Sequence, residues 1–309
     1  PKMFSFVAKA ATHARALATR FQALWRRLPI GLQVGLEMWA LWRIPLLVLL
    51  AVGFGTVPLA IGTTVPAYVD GPPWLLLWHR WDSGWYVRIM HEGYFYLAAE
   101  PGDMSRQSSI QFFPLFPALS RGLMVFGLPM AVATMVVTHV STVLALWGLH
   151  RLTELKLGAE AARLAPIALL LFPTAIFLSA AYAEAPLIAL AVWALTFFER
   201  RQVLAAATCA ALAAVTRANG AVLVASLCGA ALLRRDWKML APCVVLPGLT
   251  LGSFCLYQHL QFGDALAFLH ARNAWGVWGK NPLDLLRDYA LATVRGGHGL
   301  EGWLDCLAP

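Results

Sequence analysis

Charge is what this sequence has least of: 13% of its 309 residues are Asp, Glu, Lys or Arg, against 60% hydrophobic. Soluble domains carry about 25% charged residues, so an ordinary water-exposed surface is excluded. Cysteine is sparse as well. Cys209, Cys228, Cys243, Cys255 and Cys306 show no CxxC spacing, and four of them lie in apolar runs. An odd count closes no disulfide framework, which leaves them as small hydrophobes. The histidines show no HxH or HExxH spacing, and no Walker-type or dinucleotide glycine loop is present. No metal site and no cofactor are therefore expected. The net charge of +8 could serve nucleic acid, but the placement of the charges fits membrane orientation instead.

What the sequence does have is long apolar runs. Those at 44–62, 128–149 and 240–257 can each cross a hydrocarbon core about 30 Å thick. Two longer runs, 164–198 and 202–233, carry one charge each, Glu184 and Arg217. Both are read as helical hairpins, turning at 183–186 and at Asn219 and Gly220. The expected fold class is all-α: a polytopic integral membrane protein with seven transmembrane helices. Seven spans put four basic groups on one side, which is then cytoplasmic. They are Lys2 to Arg27, then Arg151, Lys156 and Arg163, then Arg200 and Arg201, then Arg234, Arg235 and Lys238.

The opposite, extracytoplasmic face gathers the loop 63–127, the Glu184 turn, the Arg217 turn and the segment after Tyr257. The expected organisation is a cytoplasmic basic arm with an interfacial helix over 1–43, a transmembrane domain over 44–257, and an extracytoplasmic segment over 258–309. No small-residue cleavage site follows a short apolar core in the arm, so 44–62 reads as an uncleaved anchor. Beginning at Pro1 and stopping after a polar tail, the chain is read as part of a longer protein with further helices. Gly248 and Gly252 form a GxxxG, which predicts close helix packing.

The loop 63–127 is far longer than the connections usual between bundled helices. Pro66, Pro72 and Pro73 bring the chain out extended. The spacing predicts an interfacial helix over 81–93, with Trp85, Tyr86 and Ile89 as apolar surface. A second, over 111–127, sets Phe112, Phe113 and Phe116 for lipid chains. Asp82 has two readings: an N-cap stabilising that helix by about 0.5–2 kcal/mol, or a general base held between Trp81 and Trp85 with a pKa raised by desolvation. Glu184 either solvates a turn or faces a cavity, since lipid-facing charge is costly. Arg217 either snorkels or binds a lipid phosphate, with Arg80 and Arg88 as further phosphate candidates. Arg88 and Glu92, spaced i, i+4, can also simply pair. His79 and His91 are read as structural.

Five motifs occur in order: RWDSGWYVRIMHEGY (80–94), FFPLFPALSR (112–121), LFPTAIFLSAAYAEA (171–185), TRANG (216–220) and FGDALAFLHARNAWG (262–276). Together they resemble the PIG-V-type mannosyltransferases, a GT-C glycosyltransferase family, over about residues 35–280. The resemblance implies a multi-helix membrane enzyme that takes mannose from a polyprenyl-phosphate-mannose donor and gives it to a lipid or glycolipid acceptor on the extracytoplasmic or lumenal side. Eukaryotic members act in glycosylphosphatidylinositol assembly. A bacterial plasma membrane is expected here, the endoplasmic reticulum if the source is eukaryotic. Asp82 matches the family's acidic residue in the first large loop. It would act as base in an inverting displacement, with Arg217 holding the departing phosphate. Trp81, Trp85, Tyr86, Glu92, Glu184 and Asn219 would contact sugar or acceptor. Membrane lipids are the other expected partners, with no nucleic acid and no protein partner indicated. The competing class is a polytopic transporter or lipid flippase, which would place its polar site near mid-bilayer.

Overall fold

Prolines, glycines and threonines decide where the apolar runs become helix and where they break. A computed structural model describes residues 19–20, 22–56, 66 and 68–275. The expectations for the basic arm up to residue 18, for 57–65, for Cys306 and for the tail beyond Trp275 lie outside the described residues.

Nine longer helices build the described part, joined by short turns of α- and 3-10 helix. They are α1 (Ile30–Thr56), α2 (Ser83–Glu92), α3 (Leu115–Val125), α4 (Met130–Leu157) and α5 (Ala159–Leu170), followed by α6 (Glu184–Glu199), α7 (Val203–Ala214), α8 (Gly220–Leu233) and α9 (Trp237–Phe262). No strand occurs among the described residues. α4 is central: α1, α5 and α6 pack against it, while α7 joins α6 to α9 and α8 closes on α9. Close approach is bought by small residues. A Cβ on Gly148 of α4 would lie 2.6 Å from Val192 of α6, and α7 turns Ala206, Ala207, Ala210, Ala211, Ala213 and Ala214 inward.

Among the described residues, three helices are long and apolar enough to cross a membrane: Ile30–Leu49 of α1, Met130–Leu157 and Trp237–Phe262. The other four of the expected seven spans, α5 to α8, are 12, 16, 12 and 14 residues long. At about 1.5 Å per residue none of these reaches about 30 Å. The expected count of seven spans is therefore not met by individual helix lengths. Two boundaries differ from the sequence reading. α1 starts at Ile30, so the boundary read at residue 44 falls inside a continuous helix that tolerates Pro45.

The hairpin turn expected at 183–186 is instead a long break before α6. α5 ends at Leu170, Pro173–Leu178 forms a 3-10 turn, and α6 begins at Glu184. Broken backbone amid apolar helices needs partners for its carbonyls. Thr142 Oγ1 donates to the Leu178 carbonyl at 2.5 Å and Thr138 Oγ1 to the Ala180 carbonyl at 3.1 Å, both from α4. Arg43, inside α1, donates to Ser179 Oγ at 2.8 Å and lies over the Trp39 ring. The break is thus fastened from two helices.

The GxxxG of α9 does not pack closely. A Cβ on Gly248 or Gly252 would meet nothing within 4 Å, and Gly248 lines a groove. Both histidines read as structural are used so: His79 is buried, with ring nitrogens 3.1 Å from the Leu75 carbonyl and 2.8 Å from Thr134 Oγ1, and His91 stacks on Tyr68.

Candidate active site

α2 and α3 form on the amphipathic stretches read from the long loop, and their burial follows spacing. Ser83, Tyr86, Val87, Ile89 and Met90 face inward from α2, and Phe116, Pro117 and Ser120 from α3. Between them Tyr94 donates to the Phe112 carbonyl at 2.9 Å. The Leu115 N–H, at the start of α3, donates to the carbonyl of Val215 at 3.0 Å. That bond joins the FFP motif to the chain just before Arg217.

The turn between α7 and α8 depends on one missing side chain. A Cβ on Gly220 would lie 2.0 Å from the Ala213 carbonyl oxygen, so only glycine lets α8 begin against the end of α7. The residues before it, Arg217, Ala218 and Asn219, are held there and line a cavity of about 300 Å³ together with Asp82, Tyr86, Gln111, Phe112, Phe113, Phe268, Arg272 and Trp275. Two residues at helix starts share one habit. Asp82 precedes α2 and Asn219 precedes α8, both with helical backbone angles and neither with a side-chain cap bond. Their polar groups are left for the cavity.

This removes the capping reading of Asp82. Burial pushes its carboxyl above the ordinary carboxylate range, against the opposing pull of the Arg217 charge. A cap worth about 0.5–2 kcal/mol should therefore not be lost on truncation. Asp82→Ala is expected to change unfolding free energy in detergent by less than about 0.5 kcal/mol. A larger loss in chemical denaturation would restore the cap.

Neither Glu184 nor Arg217 sits as a solvated or snorkelling charge. Their side chains are 16% and 18% exposed and form an ion pair through Oε1 and Nη1. Among the described residues, Glu184 Oε2 is buried and has no hydrogen-bond partner. The pair ties the first residue of α6 to the turn before α8. With Ser83 opening α2, Glu184 opening α6 and Gly220 opening α8, three helix starts meet around Arg217 and the cavity. Their N-terminal dipoles favour an anion there.

Of the residues picked from sequence, Asp82, Tyr86, Phe112, Phe113, Arg217 and Asn219 line the cavity. Others do not. Arg88 pairs with Glu92 at 2.7 Å on an exposed face and covers the Phe95 ring, so it is spent locally. Trp81 is 66% exposed, and Arg80 contributes a backbone carbonyl to Ser83 and Tyr182. Trp85 stacks on Phe112 and meets Trp275 edge-on, shaping the cavity's aromatic side from outside its lining. Phe116 is fully buried against Tyr86, which rules out contact with a lipid chain. The sequence reading passed over Gln111, Ala218, Phe268, Arg272 and Trp275. Phe268, Arg272 and Trp275 lie in the 262–276 motif and Ala218 in the TRANG motif, which are the available signals.

A second hollow, about 470 Å³, lies between α8 and α9 and is lined by apolar residues including Ala221, Val224, Val244, Pro247, Gly248 and Leu251. Phe113, Ala218 and Phe268 line both spaces, which makes them neighbours across a shared wall. A polar cavity beside an apolar groove suits a molecule with a charged head and a long hydrocarbon tail.

In a comparison with known protein families, the family model described as Mannosyltransferase (PIG-V) aligns with residues 39–241. No curated protein and no solved structure matches the chain. The matched stretch includes α2 to α8 and with them Asp82, Glu184 and Arg217.

Proposed function

The chain belongs to the PIG-V mannosyltransferase family and is a membrane glycosyltransferase, and from that premise we propose its donor, its reaction course and its base. Mannose moves from a polyprenyl-phosphate carrier to a hydroxyl of a lipid or glycolipid acceptor, with inversion, on the extracytoplasmic or lumenal side. The observation that carries this reading is the placement of Asp82, free of any cap bond, and Arg217 in the lining of one cavity beside an apolar groove.

The acceptor oxygen attacks the anomeric carbon as the bond from that carbon to the phosphate oxygen breaks. Asp82 takes the hydroxyl proton, and its raised pKa makes it a better base than a solvated aspartate. The bonding electrons leave on the phosphate. Arg217 meets that charge where it develops, already oriented by Glu184. The dipoles of α2 and α8 add to it. Asn219 and Gln111 offer amide groups to sugar hydroxyls, and Trp275 and Tyr86 supply ring surface. The groove between α8 and α9 takes the isoprenoid, with Phe113 at the junction. This reading gives Phe113 a lipid contact and gives none to Phe116, which is buried against Tyr86.

The test is transfer itself. Full-length protein in proteoliposomes, given labelled mannose on a polyprenyl phosphate, should produce labelled lipid extractable from the membrane. Label that stays entirely on the carrier would remove the donor assignment.

A further inference from the structure

The turn that carries Asp82 is bonded to a residue a hundred positions away. Tyr182 is buried, 3% exposed, in the break before α6. Its hydroxyl accepts the Asp82 backbone N–H at 3.0 Å and donates to the Arg80 carbonyl at 3.0 Å. The two groups flank Trp81, which has φ +51, a left-handed backbone that non-glycine residues rarely adopt. Such strain persists only where the surroundings hold it. The surroundings here are well defined. Ala181 N–H donates to the Trp78 carbonyl at 2.9 Å, Ser83 Oγ donates to the Arg80 carbonyl at 2.8 Å, and Thr138 holds the Ala180 carbonyl.

We propose that Tyr182 is a positioning residue for the transfer reaction: its hydroxyl bridges the Arg80 carbonyl and the Asp82 N–H, holds Trp81 in its left-handed turn, and so keeps the Asp82 carboxylate in the cavity and off the start of α2. The inference rests on Asp82 being the base. It also gives the break before α6 a purpose. Within three residues the segment fixes Asp82 through Tyr182 and Arg217 through Glu184, the two charges on which the chemistry depends. The N–H groups of Ser83, Gly84 and Trp85 now donate to the carbonyls of Arg80, Trp81 and Asp82. Without the hydroxyl, Trp81 can relax to an ordinary φ, that turn opens, and Asp82 can rotate onto the N–H groups it releases.

Tyr182→Phe keeps the ring, and with it the contact to Phe177 at 4.9 Å, while removing both hydrogen bonds. A misplaced catalytic group costs up to about a hundredfold, so kcat should fall about tenfold to a hundredfold with KM little changed. The acid limb of the pH–rate profile should move to lower pH as Asp82 gains cap bonds. Phe177→Leu disturbs the packing of the same ring and spares the hydroxyl. It is expected to lower thermal stability without moving the acid limb or kcat. Asp82→Asn is run in the same assay. If Asp82→Asn is inactive while Tyr182→Phe keeps wild-type kcat and acid limb, the positioning role is overturned and the base remains. If Asp82→Asn itself transfers at the wild-type rate, the base assignment fails and this inference with it. Should Tyr182→Phe not fold, Ser83→Ala loosens the same Arg80 carbonyl from the other side. Its kcat should fall in the same direction, and an unchanged profile would count against the proposal.

Discussion

Asp82→Asn is expected to lower kcat for mannosyl transfer by about 10²–10⁴-fold, the range typical for loss of a general base. The amide preserves shape and any hydrogen bond accepted at that position but cannot take the acceptor's proton. Stability should move the other way. Burial raises the Asp82 pKa in the folded protein, so between the unfolded and folded values the native state binds the extra proton. The contribution is therefore fully present below the ordinary carboxylate pKa of about 3.9 and is lost as pH rises through the higher folded value. At neutral pH the wild type carries a buried carboxylate at some cost, and Asp82→Asn should unfold at an equal or higher temperature. The wild-type rate should fall on acidification at a pH above that of a solvated aspartate. A rate that holds constant down to about pH 4 would contradict the raised pKa.

Arg217→Ala should have two large effects at once. Removing one partner of a buried ion pair costs about 3–5 kcal/mol, because Glu184 is left charged with no counterion. Loss of a preorganised group facing developing charge costs about 10²–10³-fold in kcat. The double variant Arg217→Gln with Glu184→Gln separates them. Neutral amides remove the stranded charge, so folding should recover most of the loss while transfer stays low. Arg217→Lys keeps the charge and gives up the planar fork that suits both carboxylate and phosphate, and it should fall between. Transfer restored to wild-type rate in the double variant would mean that Arg217 only holds the fold.

The contrast between what the sequence revealed and what it concealed follows sequence distance. α2 and α3 were legible because their apolar residues repeat at helical spacing within a dozen positions. The ordered motifs pointed to the family that the matched region confirms. Asp82 was legible as a candidate but not as a winner between cap and base. What the sequence could not show is the bond from the Asp82 N–H to Tyr182, in the break before α6 and a hundred positions away. Arg217 read equally well as a snorkelling charge because Glu184 lies 33 residues upstream. The turn at 183–186 was misplaced for a similar reason. Pro173 marks the true break, but carbonyls left open inside an apolar run are affordable only because Thr138 and Thr142 on α4 satisfy them. Phe116 was assigned to lipid by its neighbours in sequence, and Tyr86 claims it in space. The GxxxG of α9 fits local packing rules and instead opens a groove, since among the described residues no partner helix covers Gly248.

The stereochemistry of the product tests the mechanism most directly. Mannose supplied on a polyprenyl phosphate of known anomeric configuration would be transferred by the full-length protein in proteoliposomes, and the product linkage read by NMR. A single displacement with Asp82 as base predicts the opposite configuration throughout. Product with the donor's configuration would require a covalent sugar intermediate, and Asp82 as a simple base would be wrong.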